Sequence, residues 1–200
     1  MLTYLLNAFS GPASPFMYGL LFVLAFLIAV VIERTVSLAR YRCDGEALYK
    51  RAAEWAAGGA APKLGDTPME RVVSAGMEYR DPELAWEAMA AASVEAEMTI
   101  RRRISYLSTV ASIATMLGLF GTVYGLILAF GALGDVAAAE RAAQLSQGSS
   151  TAMATTAFGL LVAIPALGAH AIADANAREL LGGIERIATR IVLALKAARK

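Results

Sequence analysis

Three long apolar stretches alternate with polar segments along the chain. None of the three contains Asp, Glu, Lys, Arg or His, and they cover residues 1–32, 104–134 and 142–169. A helix needs about 20 apolar residues to cross the roughly 30 Å hydrocarbon core of a bilayer, and each stretch reaches that length. The pattern therefore predicts an all-α, polytopic membrane protein with three transmembrane helices, embedded in a lipid bilayer.

Turn and capping signals set the limits of the predicted segments. Gly11-Pro12 interrupts the first apolar stretch, and Ser14-Pro15 has the form of an N-cap followed by proline in the first helical turn. We predict a short outer amphipathic segment (1–12), the first transmembrane helix (13–37), a cytoplasmic helical segment (38–103), the second transmembrane helix (104–133), an outer loop (134–148), the third transmembrane helix (149–174) and a cytoplasmic helical tail (175–200).

The distribution of Lys and Arg predicts the orientation. Of the 18 Lys and Arg residues, only Arg141 lies between the second and third apolar stretches, and none precedes the first transmembrane helix. All the others lie in residues 34–103 or after His170. Because cytoplasmic segments carry the excess of Lys and Arg, the N-terminus and the 134–148 loop are predicted outside and the C-terminus in the cytoplasm.

Local signals predict several helices in the cytoplasmic segment. Residues 44–57 are alanine-rich and end at Gly58-Gly59. The sequence from Thr67 to Glu70 has the form of a capping box, and Asp81-Pro82 repeats a helix-start signal. Because no proline occurs between Pro82 and Pro165, we expect one helix to run from Pro82 through the membrane to about Phe130. Two of the transmembrane helices are thus predicted to extend as long helices into the cytoplasm.

Composition argues against an enzyme or a nucleic-acid-binding protein. The chain is 58% hydrophobic and only 18% charged, with a mean hydropathy of +0.54 and a net charge of +1. It has a single His and a single Cys, too few for the usual metal-binding or catalytic motifs, so we expect no cofactor and no metal site. The Arg101–Arg103 run is interpreted as an interfacial anchor, because no aromatic residues interleave it.

Small and hydroxyl-bearing residues form one stripe on each of the last two predicted spans. On the second span, Ser108, Thr115, Thr122 and Ala129 recur every seven residues, with Ser112, Gly118 and Gly125 near the same side. On the third span, Ala152, Thr156, Gly159, Ala163 and His170 share a face, with Thr151 at its outer end. Two interpretations stay open. Either the stripes serve close helix packing, aided by Gly121 and Gly125, or they line a water-accessible lumen in an oligomer.

Two segments resemble a known family. LGLFGTVYGLILAF (117–130) and STAMATTAFGLLVAIPAL (150–167) are similar to the signature segments of the MotA/TolQ/ExbB proton-channel family, specifically of its ExbB/TolQ branch. The resemblance implies a homo-oligomer, expected to be a pentamer, in the bacterial inner membrane with a periplasmic N-terminus. It would form the ring of a motor that uses the proton-motive force for TonB-dependent uptake, Tol-Pal function or gliding motility.

The resemblance also implies partners and site residues. An ExbD/TolR-like partner with a single span would supply an intramembrane Asp, and a TonB/TolA-like protein is a further expected partner. The expected proton pathway comprises Ser108, Ser112, Thr115, Thr122, Ala129, Thr151, Thr156, Gly159 and Ala163, with His170 and Asp174 as a cytoplasmic exit and Gly118, Gly121 and Gly125 in helix packing. The second and third spans have no ionisable residue at mid-depth, which agrees with a carrier from another chain.

Some positions depart from the family pattern. Thr115 stands where the family often has proline, Thr151 where some members have an acidic residue, and His170-Ala171 where Tyr-Asn is common. These departures leave the energised process open. A flagellar-type stator subunit and a non-conducting membrane scaffold are the alternative functions, although MotA-like chains usually have four spans and this sequence predicts three.

Overall fold

The computed structural model describes Phe9, residues 14–131 and residues 138–199. These residues form six helices, and no strand occurs among them: α1 (Ser14–Tyr41), α2 (Gly45–Ala56), α3 (Pro68–Gly76), α4 (Pro82–Arg101), α5 (Ile104–Gly131) and α6 (Ala138–Ala198). The predicted all-α class is therefore confirmed. The predicted amphipathic segment 1–12 lies outside the described residues except for Phe9.

In the part of the chain that the structure describes, three helical stretches are long and apolar enough to cross a membrane. They lie within Ser14–Ala56, Pro82–Gly131 and Glu140–Ala198, and between 22% and 28% of the most apolar part of each is buried inside the chain. Large apolar side chains are consequently exposed on them, such as Phe22 (75%), Met116 (68%) and Ile164 (65%). Lipid or neighbouring protein must cover so much apolar surface, so the chain is a membrane protein, as predicted.

The chain divides into two compact units. The first contains residues 1–32 and 105–171, and the second contains residues 33–104 and 172–200. The first unit holds the apolar parts of α1, α5 and α6, whereas almost all charged residues belong to the second. In the second unit, α3 and α4 pack against each other, and Leu48, Val72, Met89 and Ile191 are completely buried.

Polar side chains start the helices of the second unit. The Asp44 carboxylate accepts hydrogen bonds from the backbone N–H groups of residues 46 and 47, and Asp81 does the same for residues 83 and 84. Thr67 and Glu70 form the predicted capping box. The Thr67 hydroxyl lies 2.7 Å from the Glu70 carboxylate and is the main cause that lowers the pKa of Glu70. The helix starts predicted at Asp44, Thr67 and Asp81 are thus confirmed.

One helix break was not predicted. Instead of one uninterrupted helix from Pro82 to Phe130, α4 ends at Arg101 and α5 begins at Ile104. Arg103 between them has a φ of 62°, a left-handed conformation that costs a non-glycine residue about 1–3 kcal/mol. Side chains from α1 stabilise this break: Arg34 donates a hydrogen bond to the Arg102 carbonyl, and Glu33 pairs with Arg103 at 2.9 Å.

The last helix is longer than predicted. Residues 134–148 were expected to form a loop, but α6 already begins at Ala138; residues 132–137 lie outside the described part of the chain. The helix continues for 61 residues, through Pro165 and through Gly182-Gly183. The weak helix-forming tendency of these residues is overcome by packing, since Ile184, Ile187 and Ile191 are buried just beyond the glycines. The limits assigned to the membrane segments stay predictions.

The break between α4 and α5 should depend on Arg34. Its guanidinium is 4% exposed and also bonds Glu33 at 3.0 Å. Arg34→Gln leaves the Arg102 carbonyl without this donor, which should cost on the order of 1–3 kcal/mol. Thermal unfolding of the detergent-solubilised protein measures the loss. Arg40→Gln is the matched control, because Arg40 is exposed on the same helix. Equal unfolding temperatures for the two variants would contradict this role.

Candidate functional site

Helices α5 and α6 approach each other so closely that some positions have no room for a methyl group. A Cβ on Gly159 would lie 2.7 Å from the Ala114 carbonyl oxygen, and one on Gly118 would lie 3.1 Å from the Thr155 carbonyl oxygen. Both neighbours are backbone atoms, which cannot rotate away as a side chain can. Only glycine fits at these positions without a shift of a helix.

The close approach continues along both helices. A Cβ on Gly121 would lie 2.8 Å from the Thr155 hydroxyl oxygen, and one on Gly125 would lie 3.3 Å from the Ala152 Cβ. Further along, Gly148 packs on Ala129. The contacting residue numbers rise on α5 as they fall on α6, so the two helices are antiparallel. We call this contact, from Ala114–Gly159 to Ala129–Gly148, the seam.

One of the two candidate pore threonines, Thr156, contacts the turn of α5 that carries the other, Thr122. The Thr156 hydroxyl donates a hydrogen bond of 3.2 Å to the Gly118 carbonyl oxygen. In an α-helix that carbonyl also accepts the backbone N–H of the residue four positions later, which is Thr122. The Thr156 hydroxyl therefore lies beside the turn of α5 that carries Thr122. Both threonine side chains are half-buried.

The remaining hydroxyl groups of the stripes bond to their own helices. Ser112 donates to the Ser108 carbonyl at 3.2 Å, Thr115 to the Ala111 carbonyl at 2.9 Å, and Thr151 to the Gln147 carbonyl at 2.9 Å. Thr122 donates to the Leu119 carbonyl, and Ser108 to the Ser105 carbonyl. Each hydroxyl thus uses its proton locally but keeps oxygen lone pairs that can accept another hydrogen bond.

The predicted stripes split into a buried and an accessible set. Ala129, Gly159 and Ala163 were expected to line a pathway, but within the chain they are buried at or near the seam, as are the packing glycines Gly118, Gly121 and Gly125. Ser112 and Thr115 are exposed, and Ser108, Thr122, Thr151 and Thr156 are half-buried. The packing interpretation therefore holds for the buried set, and the lumen stays a prediction for the accessible set.

Sequence reasoning missed Thr155. Its side chain is completely buried, its hydroxyl donates to the Ala152 carbonyl at 2.7 Å, and it fills the space opposite Gly121. The stripe was drawn through its neighbour Thr156 instead. The spacing of Ala152, Thr155 and Gly159 is also helical, but the sequence alone does not show which of two adjacent threonines faces the other helix.

The two residues predicted to form a cytoplasmic exit belong to different units. His170 is half-buried in the first unit. In the second unit, the Asp174 carboxylate pairs with Arg101 at 3.3 Å and with Arg178 at 2.9 Å. These two ion pairs give Asp174 a structural role, and its role in proton release stays a prediction. Among the described residues, no group of three or more His, Cys, Asp or Glu side chains is arranged to hold a metal ion.

Comparison with known proteins identifies a family. Residues 64–196 match the model of the MotA/TolQ/ExbB proton channel family. The matched region includes α5 and α6 with the complete seam, both candidate threonines and most of the second unit. A comparison with curated proteins gave no significant match.

The seam predicts opposite effects of the same substitution at two glycines of α6. Gly159→Ala places a methyl group against the Ala114 carbonyl and should destabilise the protein by about 1–3 kcal/mol, as overpacking typically does. Gly168→Ala meets no atom within 4 Å, so it should be neutral or stabilising, because alanine favours a helix. The thermal unfolding temperature of the detergent-solubilised variants measures both. The seam would be wrong if both substitutions raised that temperature.

Proposed function

Because the chain belongs to the MotA/TolQ/ExbB proton channel family, we propose that it is the ring-forming subunit of an ExbB/TolQ-like motor in the bacterial inner membrane. The motor uses the proton-motive force to energise a periplasmic or outer-membrane process. The observation that carries this proposal is the contact of Thr156 with the turn of α5 that bears Thr122, within apolar stretches that contain no Asp, Glu, Lys, Arg or His.

Because the apolar stretches of this chain carry no charged residues, we assign the proton-carrying group to a partner and the groups that solvate it to this chain. Proton transfer across a membrane needs an ionisable group or a chain of water molecules. The spans of this chain offer hydroxyl groups, so a carboxylate must come from a partner helix, as from the Asp of an ExbD/TolR-like protein. An ionised carboxylate is very unfavourable in hydrocarbon unless polar groups solvate it. The Thr122 and Thr156 hydroxyl groups would donate to the carboxylate by turning away from the Leu119 and Gly118 carbonyls, and their lone pairs would accept from the protonated acid.

The accessible hydroxyl groups support a ring around that partner. Ser112 and Thr115 are exposed on the chain itself, in the middle of a span with exposed apolar residues on its other sides. Hydroxyl groups that face lipid gain nothing, whereas groups that face water or a polar partner are solvated. Several copies that turn this face inward would enclose a central, mildly polar space. The proposed ring is a homo-oligomer, expected to be a pentamer.

The branch and the orientation rest on the spans and the charges. Three apolar stretches favour an ExbB/TolQ-like chain over a flagellar-type stator subunit, which usually has four spans. The excess of Lys and Arg in residues 34–103 and after residue 170 favours a periplasmic N-terminus and a cytoplasmic C-terminus. TonB-dependent uptake, Tol-Pal function and gliding motility are the candidate processes, and a TonB/TolA-like protein is a candidate further partner.

The two threonines should be needed for activity but not for assembly. Thr122→Val and Thr156→Val keep the side-chain shape and remove the hydroxyl, so a partner carboxylate would lose its solvation and activity should fall at least tenfold. Thr→Ser at either position should retain most activity, because the hydroxyl stays. Complementation of a strain that lacks the gene measures activity, and native mass spectrometry of the same variants measures assembly.

Thr109→Val is the matched control for these variants. Thr109 is exposed on α5 and donates to the Ser105 carbonyl at 3.1 Å, away from Thr156. It should complement as well as the unmodified protein does. If Thr122→Val and Thr156→Val assemble and complement fully as well, the threonines are packing residues and the scaffold function gains support.

A further inference from the structure

Two faces of the second unit carry apolar side chains with nothing against them and opposite charges beside them. One lies on α4 and the other on the last part of α6. We propose that the α4 face of one copy docks on the α6 face of the next copy, so that the second units form a closed ring. This inference rests on the proposed function, because it names the surfaces through which the ring assembles outside the membrane.

The α4 face is a stripe of exposed apolar residues between glutamates. Leu84, Val94 and Met98 are 49%, 57% and 64% exposed, and they lie on the side of α4 opposite its buried residues Ala85 and Met89. The stripe from Leu84 to Met98 is about 21 Å long at 1.5 Å per residue. It lies outside the predicted membrane segments, so lipid does not cover it. An exposed apolar stripe of this length on a water-facing helix indicates an interaction surface.

The charges beside this stripe are negative. Glu87 and Glu95 are exposed on the two sides of Ala91, at one helical turn before and after it. In the described part of the chain, neither carboxylate takes part in an ion pair. The α4 face therefore presents apolar contact area together with two unpaired negative charges.

The α6 face has matching features. Leu193 is 60% exposed, and Gly182 leaves a depression in the helix surface because it has no side chain. Arg186 lies between them, on the side of α6 opposite the buried Ile184 and Ile191. A side chain at Gly182 would meet only the tip of Arg186, at 4.0 Å. The Arg186 guanidinium has no carboxylate partner among the described residues. This face thus presents Leu193 and Gly182 around the Arg186 guanidinium, with the exposed Thr189 on the same face and the exposed Glu185 at its border.

Ion pairs within the chain set the level of each residue along the two helices. At one end of the two helices Arg101 pairs with Asp174 at 3.3 Å, and at the other end Asp81 pairs with Arg199 at 2.9 Å. The helices are therefore antiparallel, and residues between these pairs lie at intermediate levels. Linear interpolation along the two helices between these ion pairs puts Arg186 of α6 at the level of about residue 91 of α4. In the same way it puts Leu193 at the level of about residue 86.

In the proposed ring, α4 and the last part of α6 run along the ring axis, so the rotation that relates the copies does not change this level. Arg186 of one copy thus arrives opposite Ala91 of the next, between Glu87 and Glu95. By the same argument, Leu193 arrives near Leu84, and Gly182 arrives near Val94. Apolar residues meet apolar or small residues, and the positive charge meets two negative ones. Because the two faces differ, each copy contributes one face to each neighbour, and such a contact forms a ring when the rotation between copies closes.

Disulfide crosslinking tests this contact directly. In a Cys43→Ser background, the variant that combines Val94→Cys with Gly182→Cys should form, on mild oxidation in membranes, a ladder of bands up to the full ring. Either cysteine alone should form almost no crosslinks, because the two faces are different. A dimer with Val94→Cys alone would overturn the proposal, since it would mean that α4 packs against α4.

Charge reversal provides a second test. Arg186→Glu should lower the yield of the ladder several-fold, and adding Glu87→Arg and Glu95→Arg should restore it. Lys50→Glu is the control for the same charge change on another exposed residue and should leave the yield unchanged. No restoration by the two arginines would contradict the proposed pairing.

Native mass spectrometry of the same protein distinguishes failure of the proposed docking from failure of the proposed ring. A high-order ring without the ladder would overturn the docking of α4 on α6 and leave the proposed function intact. A monomer without the ladder would overturn the ring itself, and the docking with it. A ladder that ends at the number of subunits in the ring is the result expected here.

Discussion

The contact on which the rest of the structure depends is the approach of the α5 and α6 backbones at Gly118 and Gly159. A methyl group at Gly159 would overlap the Ala114 carbonyl oxygen, so the two helices lie as close as their main chains permit. Only at this distance does the Thr156 hydroxyl reach the Gly118 carbonyl at 3.2 Å. The glycines thus determine which hydroxyl group of α6 reaches the turn of α5 that carries Thr122, so packing and the proposed function have the same structural cause.

This arrangement gives the site a definite chemical character. Each threonine hydroxyl at the seam donates a hydrogen bond to a backbone carbonyl. Its oxygen lone pairs can still accept a hydrogen bond from water or from a protonated carboxylic acid. The apolar stretches 104–134 and 142–169 contain no Asp, Glu, Lys, Arg or His. These features suit the site to receive and solvate a proton carrier, which we propose belongs to another molecule.

Local signals predicted the parts of the fold that local interactions determine. The capping residues Asp44, Thr67 and Asp81 bond to backbone groups two or three residues away, so a short window of sequence contains both partners. The break between α4 and α5 depends on Arg34, which lies 68 positions from Arg102, and no local signal reports such a contact. The uninterrupted helix expected from Pro82 to Phe130 was wrong for this reason.

The candidate site was predictable in kind but not in detail. Periodicity identified the helix faces that carry glycine and threonine, because a helix repeats every 3.6 residues. Adjacent threonines differ by about 100° around the helix, and which one enters the seam depends on the partner helix. Thr155 is the one that is completely buried, while Thr156 stays accessible at the edge. Which of the two threonines is buried can therefore be read only from the structure of the packed helices.

Proton flux into liposomes tests the central claim most directly. The purified chain is reconstituted alone and together with a single-span partner that carries an intramembrane Asp, and a pH-sensitive dye reports the flux under an imposed membrane potential. The account predicts little flux from the chain alone, clear flux with the partner, and loss of that flux when the partner's Asp is changed to Asn. Equal flux with and without the partner would show that this chain carries protons by itself, and would contradict the account.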